Sequence, residues 1–268
     1  MKMKKIIFAI FITTNLLFAK GGIVVLDPST IEIFFALGAQ DKIVAISQTE
    51  TKTLYPAKEI EKLPSVGNYA KPNLERIIEL EPDLVITGLF SSSISDELKK
   101  FNIKSINLRS LNIEGMYANI AKIAKMVGRV KEGEKLIKKI KEKANSLKFS
   151  KIKGKKVIFF AEFANNMAFG KNSLTGKVLE FMQLENLALK LKGGRPIAST
   201  EFILQENPDF ILVASKMSLD EYIRNVPSFK HLKAYKNNKI FILEVWKLGR
   251  GTPRLMNHIE ELYNKMIQ

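Results

Sequence analysis

The residues with the most distinctive chemistry are one tyrosine, the single tryptophan and four basic side chains. They are Tyr69, Trp246, Lys71, Arg195, Lys247 and Arg250. An ionised tyrosine oxygen is a hard donor that suits ferric iron, a tryptophan ring can stack on a flat ligand, and cationic side chains neutralise anions. Each has a plainer interpretation, as a ring at a surface rim, a packed side chain or scattered surface charge. The residue types alone leave both interpretations open.

Catalytic and metal-binding side chains are scarce. The chain has no cysteine, which excludes thiolate metal sites and cysteine nucleophiles. Its two histidines, His231 and His258, form no paired metal-binding motif. His231 could supply a ligand, although a surface histidine is the plainer interpretation, and His258 is expected to be structural. There is neither a Gly-x-Ser-x-Gly elbow nor a phosphate-binding loop, so we expect no enzyme; a two-lobed α/β hydrolase or transferase is the alternative class.

Two segments 126 residues apart share one pattern. Residues 73–86 and 199–212 each give a helix cap, a short helix, a Pro-Asp turn and a strand, which indicates two similarly built lobes. Each copy has a glutamate in the first helical turn, Glu75 and Glu201. Favourable interaction with the helix dipole, about 0.3–1 kcal/mol, explains either glutamate alone. As a pair, they could instead meet two arginines of a two-fold symmetric partner.

Short apolar runs alternate with helical patterns, which predicts an α/β fold with mostly parallel sheets. The predicted strands are 23–26, 43–46, 84–86, 105–108, 157–160, 210–213 and 240–243. Residues 47–72 are predicted to be a connection. Residues 113–148 carry apolar side chains at helical spacing and predict one long helix, or two in tandem, because Gly128 and Gly133 weaken the middle. The last helix is predicted to begin at Thr252-Pro253.

These elements predict two Rossmann-like lobes with a ligand cleft between them. The N-terminal lobe would span residues 20–112, the interlobe helix 113–148 and the C-terminal lobe 149–268. A helix between the lobes would hold them at a nearly fixed separation.

The N-terminus predicts export. Residues 1–19 have a basic start, an apolar stretch and Ala19 at a possible cleavage position, which is the pattern of a signal peptide; a retained N-terminal anchor is the alternative. Without these residues the net charge of +16 becomes +13, because three lysines leave with them. No later apolar stretch reaches the length of a membrane span, so we expect a soluble, monomeric mature chain. The export signal and the lack of an aromatic-and-basic strand pattern argue against a nucleic-acid partner.

Three segments together resemble one family. They are GNYAKP running into NLERIIELEPDLVI, the second copy STEFILQENPDFILV, and the C-terminal stretch from Glu244-Val245-Trp246 to Gly251-Thr252-Pro253-Arg254. They resemble the periplasmic binding proteins for ferric siderophores, haem and vitamin B12, over essentially residues 22–268. The resemblance implies two lobes joined by one helix, a shallow cleft and little hinge motion. It also implies a Gram-negative periplasmic location, and docking of Glu75 and Glu201 on arginines of an ABC-type permease dimer.

The resemblance also suggests the ligand. Tyr69 lies where haem-binding members of the family place an iron-ligating tyrosine. Arg195, Lys71, Lys247 and Arg250 could neutralise haem propionates or a catecholate siderophore, and Trp246 could stack on the chelate. An iron chelate, either haem or a ferric siderophore, is therefore the first expectation and vitamin B12 the alternative. No intrinsic cofactor is expected.

Overall fold

The computed structural model describes residues 21–48, 53–162 and 166–268; the predicted signal peptide lies outside these ranges. The strands are β1 (Ile23–Val25), β2 (Ile43–Gln48), β3 (Ser65–Asn68), β4 (Leu84–Thr87), β5 (Ser105–Asn107), β6 (Lys156–Glu162), β7 (Met167–Ala168), β8 (Glu185–Asn186), β9 (Phe210–Ala214) and β10 (Ile240–Leu243). The helices are α1 (Pro28–Ala36), α2 (Ala57–Ile60), α3 (Leu74–Glu79), α4 (Ile94–Lys100), α5 (Ile113–Met126), α6 (Val130–Ser146), α7 (Leu174–Phe181), α8 (Thr200–Glu206), α9 (Leu219–Asn225), α10 (Lys233–Lys236), α11 (Trp246–Gly249) and α12 (Leu255–Ile267). Short 3₁₀ turns lie at Gln40–Lys42, Leu187–Lys190 and Pro227–His231.

The first sheet has five parallel strands in the order β3-β2-β1-β4-β5. Its central strands are covered on both faces: Val24 and Val25 are both fully buried, although their side chains point to opposite sides. Continuous apolar runs of this kind are typical of parallel strands with helices on both faces. The predicted α/β class is therefore confirmed for this lobe.

The second sheet is mostly parallel, in the order β10-β9-β6-β7, with β8 also pairing β6. Strand β7 runs antiparallel to its neighbour β6, and the other described strand pairs of this sheet are parallel. The strands predicted at 157–160, 210–213 and 240–243 all lie in this sheet. The residues predicted to be a connection, 47–72, were in part wrongly interpreted, because they also contain α2 and β3. The strand β3 buries only Val66, which is too weak an apolar signal to detect in the sequence.

The repeated Pro-Asp turns make the same type of hydrogen bond in both lobes. Asp83 accepts a hydrogen bond from the backbone N–H of Gly22 at 2.6 Å, just before β1. Asp209 accepts one from the N–H of Lys156 at 2.8 Å, at the start of β6. Each aspartate therefore ties the turn after a short helix to the beginning of the neighbouring central strand. The similarity seen in the sequence reflects a shared way of building each lobe.

The prediction of one continuous interlobe helix is wrong, and the structure contains the tandem alternative. Helix α5 ends in a Schellman motif, in which the N–H of Arg129 donates to Ala124 O at 2.7 Å and that of Gly128 to Lys125 O at 3.4 Å. Gly128 has φ +70°, a conformation that glycine adopts without steric cost. Helix α6 then packs closely on α5, because a Cβ on Gly133 would lie 2.5 Å from the Cβ of Ala124.

One apolar core connects the two lobes. It contains Val25 from the first sheet, Met116 and Ile120 from α5, and Phe159 and Leu212 from the second sheet. Separate clusters cover the far face of each sheet. Burial of a shared core resists separation of the lobes, because opening would expose apolar surface to water. Among the described helices, none is both long and apolar enough to cross a bilayer.

The C-terminal helix belongs to this shared core. Its apolar face is buried at Leu255, Met256, Ile259, Leu262 and Met266. Its predicted start at Thr252-Pro253 is wrong by a few residues. The Thr252 hydroxyl instead accepts a hydrogen bond from the N–H of Arg254 at 3.2 Å, which forms a turn before α12 begins at Leu255.

Candidate functional site

A cavity of about 300 Å³ lies between the lobes. Its walls in the first lobe follow the carboxyl ends of β1, β3, β4 and β5, and those in the second lobe follow β6 and β10 and include the first turn of α7. This is the edge at which α/β sheets usually bind ligands, because loops from several strands converge there. The residues discussed below that line it are Asp27, Tyr69, Gly88, Phe90, Arg109, Leu111, Phe169, Thr175, Arg195, Trp246, Gly249 and Arg250.

Asp27 lines the first-lobe side of the cavity and caps the N-terminus of α1. Its carboxylate accepts hydrogen bonds from the Thr30 N–H at 2.9 Å and the Thr30 hydroxyl at 3.0 Å. Gly88 leaves room for it, since a Cβ there would lie 2.9 Å from both Cβ and Cγ of Asp27. Burial raises the pKa of Asp27, while the Thr30 bonds and the charge of Arg250 lower it in part. The acid is thus held in place as a helix cap.

Exposed aromatic and apolar side chains line the first-lobe side of the mouth. The rings of Tyr69 and Phe90 meet edge to face at 5.3 Å between centroids. Phe90 is 54% exposed and Leu111 44% exposed, although both line the cavity. Large apolar groups left open to water in a concave site favour a ligand with an apolar face.

The second-lobe wall begins at α7. Ser173 caps this helix by accepting a bond from the Gly176 N–H at 3.0 Å, and its hydroxyl donates to Gly170 O at 3.0 Å. Arg195 lies beside this wall with its guanidinium carbon 5.7 Å from the centre of the Phe169 ring. A cation over an aromatic face is held by the ring quadrupole while its donors stay available.

Arg250 reaches from the second lobe to the first. Its guanidinium donates to the Thr53 hydroxyl at 2.6 Å and lies 5.8 Å from the Trp246 ring centre. Burial lowers the pKa of Arg250, and the nearby carboxylates of Glu32 and Asp27 oppose that shift. A guanidinium remains charged under these conditions, so the cavity carries a fixed positive charge at the junction of the lobes.

A second arginine joins the lobes just outside the cavity. Arg254 makes a bidentate ion pair with Glu32 of α1, with Nε–Oε2 at 2.9 Å and Nη2–Oε1 at 2.6 Å. The same Nη2 also donates to Thr53 O at 3.0 Å. Burial raises the pKa of Glu32, and the hydrogen bonds and charge of Arg254 act against this rise.

The structure brings four of the six ligand-binding candidates together. Tyr69, Arg195, Trp246 and Arg250 line the cavity, whereas Lys71 and Lys247 do not. Lys71 is exposed, and Lys247 pairs with Glu261 at 3.0 Å beside a smaller pocket behind α11. Lysines adjacent in sequence to a cavity residue need not share its direction, and here they do not. Trp246 begins the short helix α11.

Sequence reasoning missed several cavity residues. They are Asp27, Phe90, Arg109 and Phe169. Asp27 and Arg109 follow closely on predicted strands, at the carboxyl ends where parallel sheets gather functional side chains, so their positions offered a usable signal. Phe90 and Phe169 had no such signal, because a phenylalanine outside a predicted strand resembles any other apolar residue in the sequence.

The paired glutamates are both exposed on first helical turns. Asn73 caps the helix that carries Glu75, and Ser199 caps the one that carries Glu201, each accepting a hydrogen bond from a backbone N–H. Neither glutamate forms a salt bridge with another described residue. Both carboxylates are thus available to a partner, and their docking role remains a prediction.

The histidines lie outside the cavity lining. His231 is exposed, and His258 in α12 meets the Trp246 ring edge to face at 5.2 Å between centroids. Within residues 21–48, 53–162 and 166–268, no group of three or more His, Cys, Asp or Glu side chains is arranged to hold a metal ion.

Two α/β lobes with a shared core and a cavity between them define a two-lobed solute-binding protein. Residues 23–245 match the periplasmic binding protein family, and the chain belongs to that family.

Three relatives show how far the similarity extends along the chain. The vitamin B12-binding protein of Vibrio campbellii is 30% identical over 277 residues, covering 97% of this chain and 96% of that protein. The uncharacterized ABC transporter substrate-binding lipoprotein YvrC of Bacillus subtilis is 29% identical over 255 residues, covering 90% of this chain and 78% of that protein. The high-affinity heme uptake system protein IsdE of Staphylococcus aureus is 26% identical over 239 residues, covering 83% of this chain and 80% of that protein.

Solved structures agree on the fold. The periplasmic heme-binding protein RhuT from Roseiflexus aligns with a TM-score of 0.79 at 20% identity, covering 92% of this chain and 98% of that one. At this identity the similarity establishes the two-lobed architecture and does not identify the ligand.

Proposed function

We propose that this protein captures an iron chelate, haem or a ferric siderophore, in the periplasm of a Gram-negative cell and delivers it to an ABC-type permease without catalysing a reaction. The observation that carries the proposal is the cavity between the lobes. It combines a phenol, an exposed aromatic ring and cationic side chains within one concave surface. Family membership supports binding as the activity.

The composition of the cavity favours an amphiphilic, anionic ligand. Arg109, Arg195 and Arg250 supply positive charge from both lobes, and Phe90 and Leu111 supply exposed apolar surface. Haem has an apolar macrocycle and anionic carboxylates, so it complements both features. Guanidinium groups bind carboxylates with two parallel hydrogen bonds. A ferric catecholate shares the negative charge and the aromatic surface.

Tyr69 is the proposed contact with iron. It lies at the cavity between the two lobes, and its ring is held by Phe90. A phenolate oxygen is a known axial ligand of ferric haem. Lys71 and Lys247 are left outside the proposed binding set, because neither side chain lines the cavity.

Delivery to a permease is supported by the two exposed glutamates. Glu75 and Glu201 occupy corresponding positions in the two lobes, and neither forms a salt bridge with any other part of the described chain. Such a pair suits a partner that presents one basic site from each of two subunits. The similarity to the Bacillus subtilis ABC transporter substrate-binding lipoprotein also supports this assignment.

Absorbance titration with haemin tests the proposal. We expect a shifted Soret band that saturates at one haem per chain, and a changed band with weaker binding for Tyr69→Phe. Tyr235→Phe is the matched control, because Tyr235 lies in α10 and does not line the cavity. A Soret spectrum unaffected by the wild-type protein would refute the haem assignment. Binding that Tyr69→Phe leaves unchanged would refute the iron-ligand role.

Cobalamin is the second candidate. The Vibrio campbellii relative named for vitamin B12 supports it, and so does Trp246, whose ring could stack on a large planar ligand. A parallel titration with cyanocobalamin separates the two. Tighter binding of cobalamin than of haemin, insensitive to Tyr69→Phe, would replace the iron chelate with vitamin B12.

A further inference from the structure

The ion pair between Glu32 and Arg254 connects the lobes without touching the ligand space. Glu32 lies in α1 of the first lobe, and Arg254 lies between the second sheet and α12. Neither residue lines the cavity. Any effect of this pair on binding must therefore pass through other side chains.

The glutamate of the pair is buried, the arginine is partly buried, and the pair is oriented by its hydrogen bonds. The Glu32 side chain is 2% exposed and that of Arg254 is 25% exposed. Taking two charges out of water is costly unless hydrogen bonds satisfy them. Here both carboxylate oxygens are engaged, and Thr53 O accepts a third bond from Arg254. A bidentate pair fixes direction as well as distance, so it sets the position of the guanidinium between the lobes.

Two cavity residues lie close to that guanidinium in space or in sequence. The Arg254 guanidinium carbon lies 5.5 Å from the Trp246 ring centre, and Arg250 is only four residues before Arg254 in the chain. The indole Nε1 of Trp246 is buried and makes no hydrogen bond to any described residue. The ring orientation is thus set by packing, with the cationic ends of Arg254, Arg250 and Lys247 over it and His258 against its edge.

We propose that the Glu32–Arg254 pair is an interlobe latch that positions Trp246 and Arg250 for ligand binding. Residues 246–254 act as a strap from the second lobe, and Glu32 is its anchor in the first. With the latch closed, the indole and the Arg250 guanidinium face the cavity in one arrangement. When the ion pair is broken, neither Trp246 nor Arg250 is held in a fixed position against the first lobe. This inference rests on the proposed function only for the affinity measurement, since the fluorescence of Trp246 is measured without ligand.

The sole tryptophan of the chain gives a direct measurement. Glu32→Gln keeps the size of the side chain and removes its charge, and Arg254→Lys keeps the charge but cannot make the bidentate pair. Glu260→Gln is the matched control. It breaks another close ion pair, Lys143–Glu260 at 2.6 Å, which joins α6 to α12 away from the cavity. For each folded variant we would record tryptophan emission, acrylamide quenching, and affinity for haemin and cyanocobalamin.

We expect both latch variants to shift the emission of Trp246 and to increase its quenching before any ligand is added. Affinity should fall about 10- to 100-fold, as it does when partners that orient metal ligands are removed. Glu260→Gln should match the wild type in emission, quenching and affinity. If Glu32→Gln does not fold, Arg254→Lys provides the same test.

Unchanged tryptophan emission and quenching in a folded latch variant would overturn the proposal, as would altered emission with full affinity. A wild-type protein that binds neither haemin nor cyanocobalamin would leave only the ferric siderophore of the proposed function, and the fluorescence of the unliganded variants would still test the latch.

Discussion

Replacing Gly88 by alanine should destabilise the protein by displacing the cap of α1. The added Cβ would meet the Asp27 side chain, 2.9 Å from its Cβ and Cγ, which is well inside normal contact distance. Overpacking of this kind costs about 1–3 kcal/mol. If Asp27 moves, α1 also loses its cap, which is worth about 1 kcal/mol.

The expected loss is therefore about 2–4 kcal/mol. At roughly 2–4 °C per kcal/mol for a chain of this size, the thermal midpoint should fall by about 4–16 °C. Differential scanning calorimetry measures this, with Gly249→Ala as the control. Gly249 also lines the cavity, but a Cβ there would meet Thr175 Oγ1 at an ordinary 3.5 Å. If Gly88→Ala and Gly249→Ala both unfold at the wild-type temperature, that result would contradict the close approach of Gly88 to Asp27.

Three further perturbations follow from the packing and the buried charges. Gly133→Ala should cost about 1–3 kcal/mol in urea unfolding by pushing α5 and α6 apart; a neutral result would contradict their close contact. Burial raises the pKa of Asp27 above 3.8. The stabilisation from the protonated carboxyl is therefore present below that pH and is lost as pH rises through the pKa of the folded state. Asp27→Asn should remove this loss of stability in thermal scans across about pH 3 to 7. Burial, and after it the charge of Arg254, lowers the pKa of His258 below 6.5, so the free energy of unfolding should fall as pH drops through 6.5. His258→Gln should reduce that fall. A pH profile unchanged by Asp27→Asn or by His258→Gln would refute the pKa direction assigned to the residue replaced.

The central strands and the repeated Pro-Asp turns could be predicted because their signals are local. A buried parallel strand is a continuous apolar run, and Asp83 and Asp209 mark the same turn in both lobes. The break between α5 and α6 was signalled by Gly128, but its sharpness depends on a Schellman motif and on the contact of Gly133 with Ala124. That contact is tertiary, so the sequence left one helix and two helices equally open.

The cavity was predicted only in part because side-chain direction depends on packing. Arg250 faces the first lobe because Thr53 accepts its hydrogen bond, whereas Lys247 turns away because Glu261 on α12 attracts it. These partners are far apart in sequence from the residues they orient or lie on another element. The same applies to Glu32 and Arg254, whose pairing required the complete fold.

The most direct test of the account is quenching of Trp246 fluorescence by candidate ligands, because this single tryptophan lies in the cavity between the lobes. Haemin, a ferric catecholate and cyanocobalamin all absorb light and should quench a ring that they approach. We expect saturable quenching by an iron chelate at one ligand per chain, stronger than that by cyanocobalamin. Quenching that never saturates with any of the three would contradict binding of a metal chelate between the lobes.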